Sequence, residues 1–223
     1  MKLPKMPAAV IFDMDGLLFN SESLSFESAV TAAAHLGKTI EWPFFRTFVG
    51  QQWPDIRQQL LDGFGEDFHA DEFRSTWINH YEKLLDVRLD IKPGVVELLD
   101  LLDELSIPRA IATSSMRDKV DRKAGAFGLL ERFDAIVAQG DYTQGKPAPD
   151  PFLTAAARLS ADPAYCLALE DSHNGIRSAH AAGMMAVMVP DLLDPTDEIR
   201  PFCTAVATDL HQVVLMIREH ATA

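Results

Sequence analysis

Two pairs of acidic residues stand directly after short apolar runs. Asp13 and Asp15 follow the run AAVIF, and Glu170 and Asp171 follow the run CLAL. Carboxylate oxygens are the ligands that Mg²⁺ prefers, and acids this close together would repel one another without a cation. The pattern therefore indicates a magnesium site. A carboxylate in such a place can also act as a nucleophile or transfer a proton.

Hydroxyl groups and one lysine occupy comparable places after two other apolar runs. Thr113, Ser114 and Ser115 follow AIA, and Lys146 lies within GKPAPD, a short distance after DAIVA. An ammonium group, a hydroxyl and the backbone N–H groups of a turn can all hold phosphate oxygens. Together with the carboxylates, this set suits phosphoryl transfer.

Each of these features has a simpler explanation when it is taken alone. A single Asp-x-Asp is typical of solvated loop acids, a Thr-Ser-Ser run or an acidic pair of helix capping, and one lysine of the surface. Their joint placement favours a site instead, because ligands of open parallel sheets bind outside the carboxyl ends of the strands.

The elements that would position these residues alternate between strand and helix. Alternation of this kind implies right-handed crossovers and a parallel sheet with helices on both faces. We therefore expect an α/β fold with a Rossmann-like core. One helix is expected at 116–127 with Ser115 as its N-cap. The predicted strands are 8–12, 109–112, 134–138, 165–169, 185–189 and 204–207.

A helical, strand-poor block interrupts this alternation just after the first strand. It contains patterns for a helix at 21–36, a helix that begins at Pro54, and a helix at 71–85 with Asp71 as N-cap. We expect a small all-helical cap domain at 19–89, inserted into a core domain formed by 1–18 and 90–223.

Composition excludes several classes of partner. The net charge is −13 and no block of basic residues occurs, which argues against nucleic acid and anionic membrane surfaces. No apolar stretch is long enough to span a bilayer, and the N-terminus does not fit a signal peptide, so we expect a cytoplasmic protein. Cys166 is expected to be a buried, inert thiol. We expect a monomer.

Four signatures now identify a resemblance. IFDMDG at 11–16, ATSS at 112–115, GKPAPD at 145–150 and LEDSHNG at 169–175 occur in order. The chain resembles the haloacid dehalogenase superfamily, in the branch of β-phosphoglucomutase-like and sugar-phosphate phosphatases with a small helical cap. Each signature is modest alone, but four in order over nearly the whole chain are highly specific.

The resemblance implies a magnesium-dependent phosphatase that hydrolyses a small phosphorylated metabolite through an aspartyl-phosphate. By that resemblance, Asp13 is the nucleophile and Asp15 protonates the leaving group and then deprotonates the attacking water. Thr113 and the Ser114 amide hold the phosphoryl group, and Lys146 bridges that group and the nucleophile.

The same resemblance implies the metal ligands. Asp13, the main-chain carbonyl of Asp15 and Asp171 would bind Mg²⁺, and Glu170 would bind it directly or orient a metal-bound water. Many relatives have aspartate where this chain has Asn20; the consequence of that difference is left open.

Substrate selection is expected to lie in the cap. Gly50, Gln51, Gln52 and Trp53 form a glycine turn with two amides and an aromatic ring, which could contact a sugar or a base. The alternative for Trp53 is a place in the core of the cap.

Two other functions stay open. A β-phosphoglucomutase-type mutase would need three cations to grip a second phosphate, and this chain has Val49, Trp53 and Met116 at those positions. A non-catalytic protein that binds a phosphorylated ligand is the other alternative, although both Asp13 and Asp15 are retained.

Overall fold

The computed structural model describes residues 3–51 and 53–221. The chain forms two compact units. One, here called the α/β unit, consists of Met1–Phe19 and Ile91–Ala223, and the other, the helical unit, consists of Asn20–Asp90. Each border lies one residue after the position expected from the sequence.

The α/β unit is built on a parallel sheet whose strand order is β3-β2-β1-β4-β5-β6. Buried apolar residues form the central strands, as parallel strands covered on both faces require. The predicted α/β, Rossmann-like fold class is confirmed. The strands are β1 Ala9–Phe12, β2 Arg109–Met116, β3 Ala135–Gln139, β4 Cys166–Glu170, β5 Met185–Met188 and β6 Ala205–Val206.

Helices make up the helical unit and connect the strands of the α/β unit. The helices of the helical unit are α1 Ser21–His35, α2 Trp42–Phe45, α3 Trp53–Phe64 and α4 Ala70–Arg88. Those of the α/β unit are α5 Val95–Glu104, α6 Arg117–Ala126, α7 Asp150–Arg158, α8 His173–Ala181 and α9 Leu210–Ala221.

Aromatic rings form the interior of the helical unit. Phe45 is buried, and its ring centroid lies 5.0 Å from that of Phe26 and 5.9 Å from that of Trp77. The Trp77 indole N–H donates to the Ser25 carbonyl at 2.9 Å, which ties α4 to α1. Because these rings bury a large apolar area, the unit has a core of its own.

Two predicted helix caps are wrong. Asp71 does not cap α4, which begins at Ala70 after His69, and lies in its first turn, where an acid also suits the helix dipole. Ser115 does not cap α6, because β2 continues through it and α6 begins only at Arg117. Its hydroxyl donates to the Asp15 carboxylate at 2.7 Å instead, so a tertiary contact replaces the local one.

No helix in the described part of the chain is both long enough and apolar enough to cross a membrane.

The thiol of Cys166 lies in the core of the α/β unit, as expected. The residue is fully buried in β4, and burial raises the pKa of its thiol to about 11. Cys203 is only half-buried, and burial raises the pKa of its thiol as well.

We expect Cys166 to be inert toward thiol reagents in the folded protein. At pH 8 a pKa of about 11 leaves about one thiol in a thousand as the reactive thiolate, and burial blocks access to that fraction. Labelling of a Cys203→Ser variant with a chromogenic disulfide, before and after unfolding in guanidinium, measures this. Rapid stoichiometric labelling of the folded variant would contradict it.

Candidate active site

The site begins with Asp13, the first residue after β1. Its backbone N–H donates to the Leu169 carbonyl at 2.9 Å, which continues the pairing of β1 with β4 and holds Asp13 at the carboxyl edge of the sheet. The residue is 7% exposed. Burial raises the pKa of Asp13 to about 8; the Lys146 ammonium opposes this rise, and the Glu170 carboxylate adds to it.

Lys146 contacts residues that lie in, or directly after, three strands. Its ammonium donates to the Asp13 carboxylate, to Glu170 Oε1 at 2.6 Å and to the Ala112 carbonyl at 2.9 Å. Its side chain is 6% exposed. Burial by itself lowers the pKa of Lys146, but the two carboxylates outweigh burial and hold it above its ordinary value. This lysine supplies locally the positive charge that the acidic chain lacks overall.

Three acids at this edge could hold a metal ion. Asp13, Glu170 and Asp171 are buried, and each offers a carboxylate oxygen within 4.8 Å of the others. Three buried carboxylates this close together carry negative charge that a divalent cation can neutralise. Oxygen donors of this kind fit Mg²⁺, so the residues present suit the predicted metal.

The Glu170 carboxylate is held by hydrogen bonds from Ser172 and lies directly against the backbone of Gly175. Its Oε2 accepts from the N–H and the hydroxyl of Ser172, both at 2.9 Å, and the same hydroxyl accepts from the Gly175 N–H as the N-cap of α8. A Cβ on Gly175 would lie 1.7 Å from Glu170 Oε1. Sequence reasoning placed Gly175 in a signature but assigned it no role.

The hydroxyl-bearing segment lies at the end of β2. Thr113 is 1% exposed, and its Oγ1 accepts from the Ser115 N–H at 3.0 Å, whereas Ser114 is exposed. The Tyr142 hydroxyl donates to the Thr113 carbonyl at 3.2 Å. Tyr142 was not predicted, because no pattern in the loop after β3 marks it.

Asp15 is contacted on both carboxylate oxygens. Oδ2 accepts from the Ser115 hydroxyl, and Oδ1 forms an ion pair with Lys123 of α6. Lys123 is buried and was also missed. A lysine among the apolar positions of an amphipathic helix is the signal that could have found it, since Val120 and Ala124 beside it are fully buried.

The predicted residues of the cap belong to the helical unit. Gly50 has φ +74° and is exposed, and the Gln51 N–H donates to the Phe48 carbonyl at 2.9 Å. Trp53 begins α3 and is half-buried, with the Arg74 guanidinium 4.8 Å from its ring centroid. Gln52 lies outside the described residues. The structure thus groups these residues within the helical unit and the strand-end residues within the α/β unit.

Asn20, the first residue of the helical unit, is joined to its last residue, Asp90, by hydrogen bonds. Its backbone N–H and side-chain Oδ1 pair with the carbonyl and the N–H of Asp90, and its Nδ2 donates to the Arg88 carbonyl at 3.3 Å. An ionised aspartate, which many relatives are expected to have here, accepts hydrogen bonds but cannot donate the last one. The asparagine therefore gives this junction one more hydrogen bond.

Comparison with known proteins agrees with this arrangement. The family model of the haloacid dehalogenase-like hydrolases matches residues 10–189, which include the strand-end residues described above. The chain belongs to the haloacid dehalogenase-like hydrolase family. The resemblance stated from the four signatures is thereby confirmed, and so is the prediction of an enzyme of the hydrolase class.

Individual relatives cover most of the chain. An uncharacterized protein of Lacticaseibacillus casei is 35% identical, over 92% of this chain and 95% of its own length. Hexitol phosphatase B of Escherichia coli is 30% identical, over 85% of this chain and 86% of its own. The chain spans half of a longer relative, the bifunctional riboflavin kinase/FMN phosphatase of Arabidopsis thaliana, at 30% identity over 85% of this chain.

Solved structures share the fold. A conserved haloacid dehalogenase-like protein of unknown function from Agrobacterium tumefaciens superposes with a TM-score of 0.82 at 25% identity, over 96% of this chain and 99% of that one.

We expect Gly175→Ala to destabilise the protein by roughly 2–4 kcal/mol, because the new methyl group displaces the buried Glu170 carboxylate from Lys146 and Ser172. Guanidinium unfolding measures the change. Gly125→Ala is the matched control, since Gly125 is also helical and its Cβ would meet only a flexible leucine methyl at 3.4 Å. The control should stay within about 1 kcal/mol of wild type. Equal effects of the two substitutions would refute the assignment.

Proposed function

We propose that this protein is a magnesium-dependent phosphatase that hydrolyses a small phosphomonoester through an aspartyl-phosphate at Asp13. The observation that carries the proposal is the buried contact of Lys146 with Asp13 and Glu170 at the strand ends. A lysine between a nucleophile and a metal-binding acid can neutralise the charge of an incoming phosphoryl group. Membership of the family and the phosphatase names of several relatives support the same reaction.

The first step forms the phosphorylated enzyme. The Asp13 carboxylate attacks phosphorus, the P–O bond to the substrate's alcohol breaks, and the leaving oxygen takes a proton from the Asp15 carboxyl group. Thr113 and the Ser114 N–H hold the transferring phosphoryl group, and Lys146 bridges it to Asp13. These contacts place phosphorus in line with the nucleophile.

The second step releases phosphate. The Asp15 carboxylate takes a proton from water as the water oxygen attacks phosphorus and the bond from Asp13 to phosphorus breaks. Both side chains thereby return to their starting protonation states.

Asp13, the Asp15 carbonyl, Asp171 and Glu170 would hold Mg²⁺, which when bound supplies positive charge against the phosphoryl oxygens. Glu170 would bind the metal ion directly or through a water molecule. Lys146 already contacts one of its carboxylate oxygens and Ser172 the other.

The substrate class that we favour is a sugar phosphate or a related small metabolite. The relatives named for activity on a hexitol phosphate and on FMN are consistent with a small phosphomonoester. Gly50, Gln51 and Trp53 of the helical unit are the residues that we propose for recognition of the leaving group.

The mutase alternative shares the fold, since the β-phosphoglucomutase of Clostridium difficile superposes with a TM-score of 0.75 at 22% identity over 98% of this chain. It requires cations where this chain has Val49, Trp53 and Met116, and Met116 is exposed at the end of β2. Dependence of turnover on a sugar bisphosphate would distinguish a mutase from a phosphatase.

Phosphate release from a panel of phosphorylated metabolites tests the proposal. We expect turnover that requires Mg²⁺ and that falls by at least about 10³-fold in Asp13→Asn, because the amide cannot act as the nucleophile. Wild-type enzyme quenched during turnover should carry a hydroxylamine-sensitive phosphate on the peptide that contains Asp13. Folded wild-type protein that releases phosphate from no compound would refute the proposal and favour a ligand-binding role.

Mg²⁺ should also stabilise the folded protein, because binding offsets the repulsion among Asp13, Glu170 and Asp171. At 100 times its dissociation constant, Mg²⁺ contributes about 2.7 kcal/mol, which corresponds to a rise in Tm of roughly 5–10 °C. Scanning fluorimetry at matched ionic strength measures this, and Asp171→Asn should show a much smaller rise. Equal shifts in the two proteins would contradict the assignment of Asp171 as a ligand.

A further inference from the structure

Lys123 is a charged residue at a position that favours an apolar one. It lies on the buried face of α6 beside Val120 and Ala124, and its side chain is 5% exposed. Removing an ammonium group from water is costly unless a partner compensates for the loss of hydration. Packing alone therefore does not account for a lysine here.

The partner of Lys123 is the residue to which the proposed mechanism gives both proton transfers. The Lys123 ammonium forms an ion pair with Asp15 Oδ1, and the Ser115 hydroxyl donates to Oδ2 at 2.7 Å. Two donors on the two oxygens restrict both the position and the rotation of the carboxylate. A proton-transfer group must be held in this way, because its efficiency depends on geometry.

Both donors come from the same stretch of chain as the proposed phosphoryl-binding residues. Ser115 follows Thr113 and Ser114 directly, and Lys123 lies two helical turns into the helix that this strand enters. The Ser115 N–H also donates to Thr113 Oγ1, which joins the two groups of contacts. The connection from β2 to α6 can therefore set the distance between the acid and the phosphoryl group.

We propose that Lys123, assisted by Ser115, is a positioning residue that holds the Asp15 carboxyl group in the orientation required for proton transfer. This inference rests on the proposed phosphatase function. In this role Lys123 exchanges no proton with the substrate. Its role is to present Asp15 to the leaving oxygen in the first step and to water in the second.

Loss of Lys123 should affect substrates differently according to their leaving group. An alkyl phosphate needs a proton on its poor leaving group, whereas p-nitrophenyl phosphate has a stable leaving anion and needs none. Because kcat/KM reports formation of the phosphorylated enzyme, misplacement of Asp15 should lower kcat/KM for the alkyl ester only. Hydrolysis of the phosphorylated enzyme still needs Asp15, so the variant should show a burst of nitrophenolate.

The experiment compares Lys123→Met and Ser115→Ala with wild type on glycerol phosphate and p-nitrophenyl phosphate. For Lys123→Met we expect kcat/KM to fall at least about tenfold on the alkyl ester, within the roughly 10²- to 10⁴-fold that proton transfer contributes, and less than about threefold on the aryl ester. Ser115→Ala should show the same selectivity at smaller amplitude. Arg117→Met is the control, since Arg117 is exposed on the same helix and pairs with Asp121 within it.

The outcomes are distinct. An equal loss on both esters in the two variants would show a structural role for Lys123, and unchanged activity would show no role; either result overturns the proposal. Thermal unfolding identifies a variant that does not fold, and if Lys123→Met fails, the selectivity of Ser115→Ala decides. Wild-type turnover of the two esters reports separately on the proposed phosphatase function.

Discussion

The architecture of the site depends on one buried lysine. Lys146 brings a positive charge to a place where Asp13 and Glu170 are withdrawn from water, and it also donates to the β2 carbonyl of Ala112. Without such a cation the carboxylates would repel one another at low dielectric, and burial would favour their protonated forms. The lysine thereby opposes the protonation that burial favours at Asp13. The close placement of Asp13, Glu170 and Asp171 also suits a metal ion.

Backbone geometry makes this concentration of charge possible. Parallel strands present their carboxyl ends at one edge, so residues far apart in the chain arrive together. The chain also approaches the Glu170 carboxylate closely at Gly175, whose missing side chain leaves the volume that the carboxylate occupies. Ser172 donates hydrogen bonds to that carboxylate and also caps α8. Packing and electrostatics are therefore coupled at this residue.

A second group of contacts surrounds Asp15. Lys146 and Lys123 are both buried, and each is matched to a different acid of the Asp-x-Asp pair. The helical unit, by contrast, is held by aromatic packing and by the hydrogen bonds of Asn20 at its ends. A core of its own and a closed junction are the features expected of an inserted domain.

The sequence by itself predicted the parallel α/β core, which the structure confirms, together with a helical insertion and the candidate site residues Asp13, Thr113, Lys146 and Asp171. It could do so because buried parallel strands and their polar ends leave a local pattern of residue types. The tertiary structure alone decided the use of Ser115, which local rules predicted as a helix cap and which instead binds Asp15. It alone also revealed Lys123, Tyr142 and the need for Gly175, because each depends on a partner distant in the chain or on a steric contact that no spacing encodes.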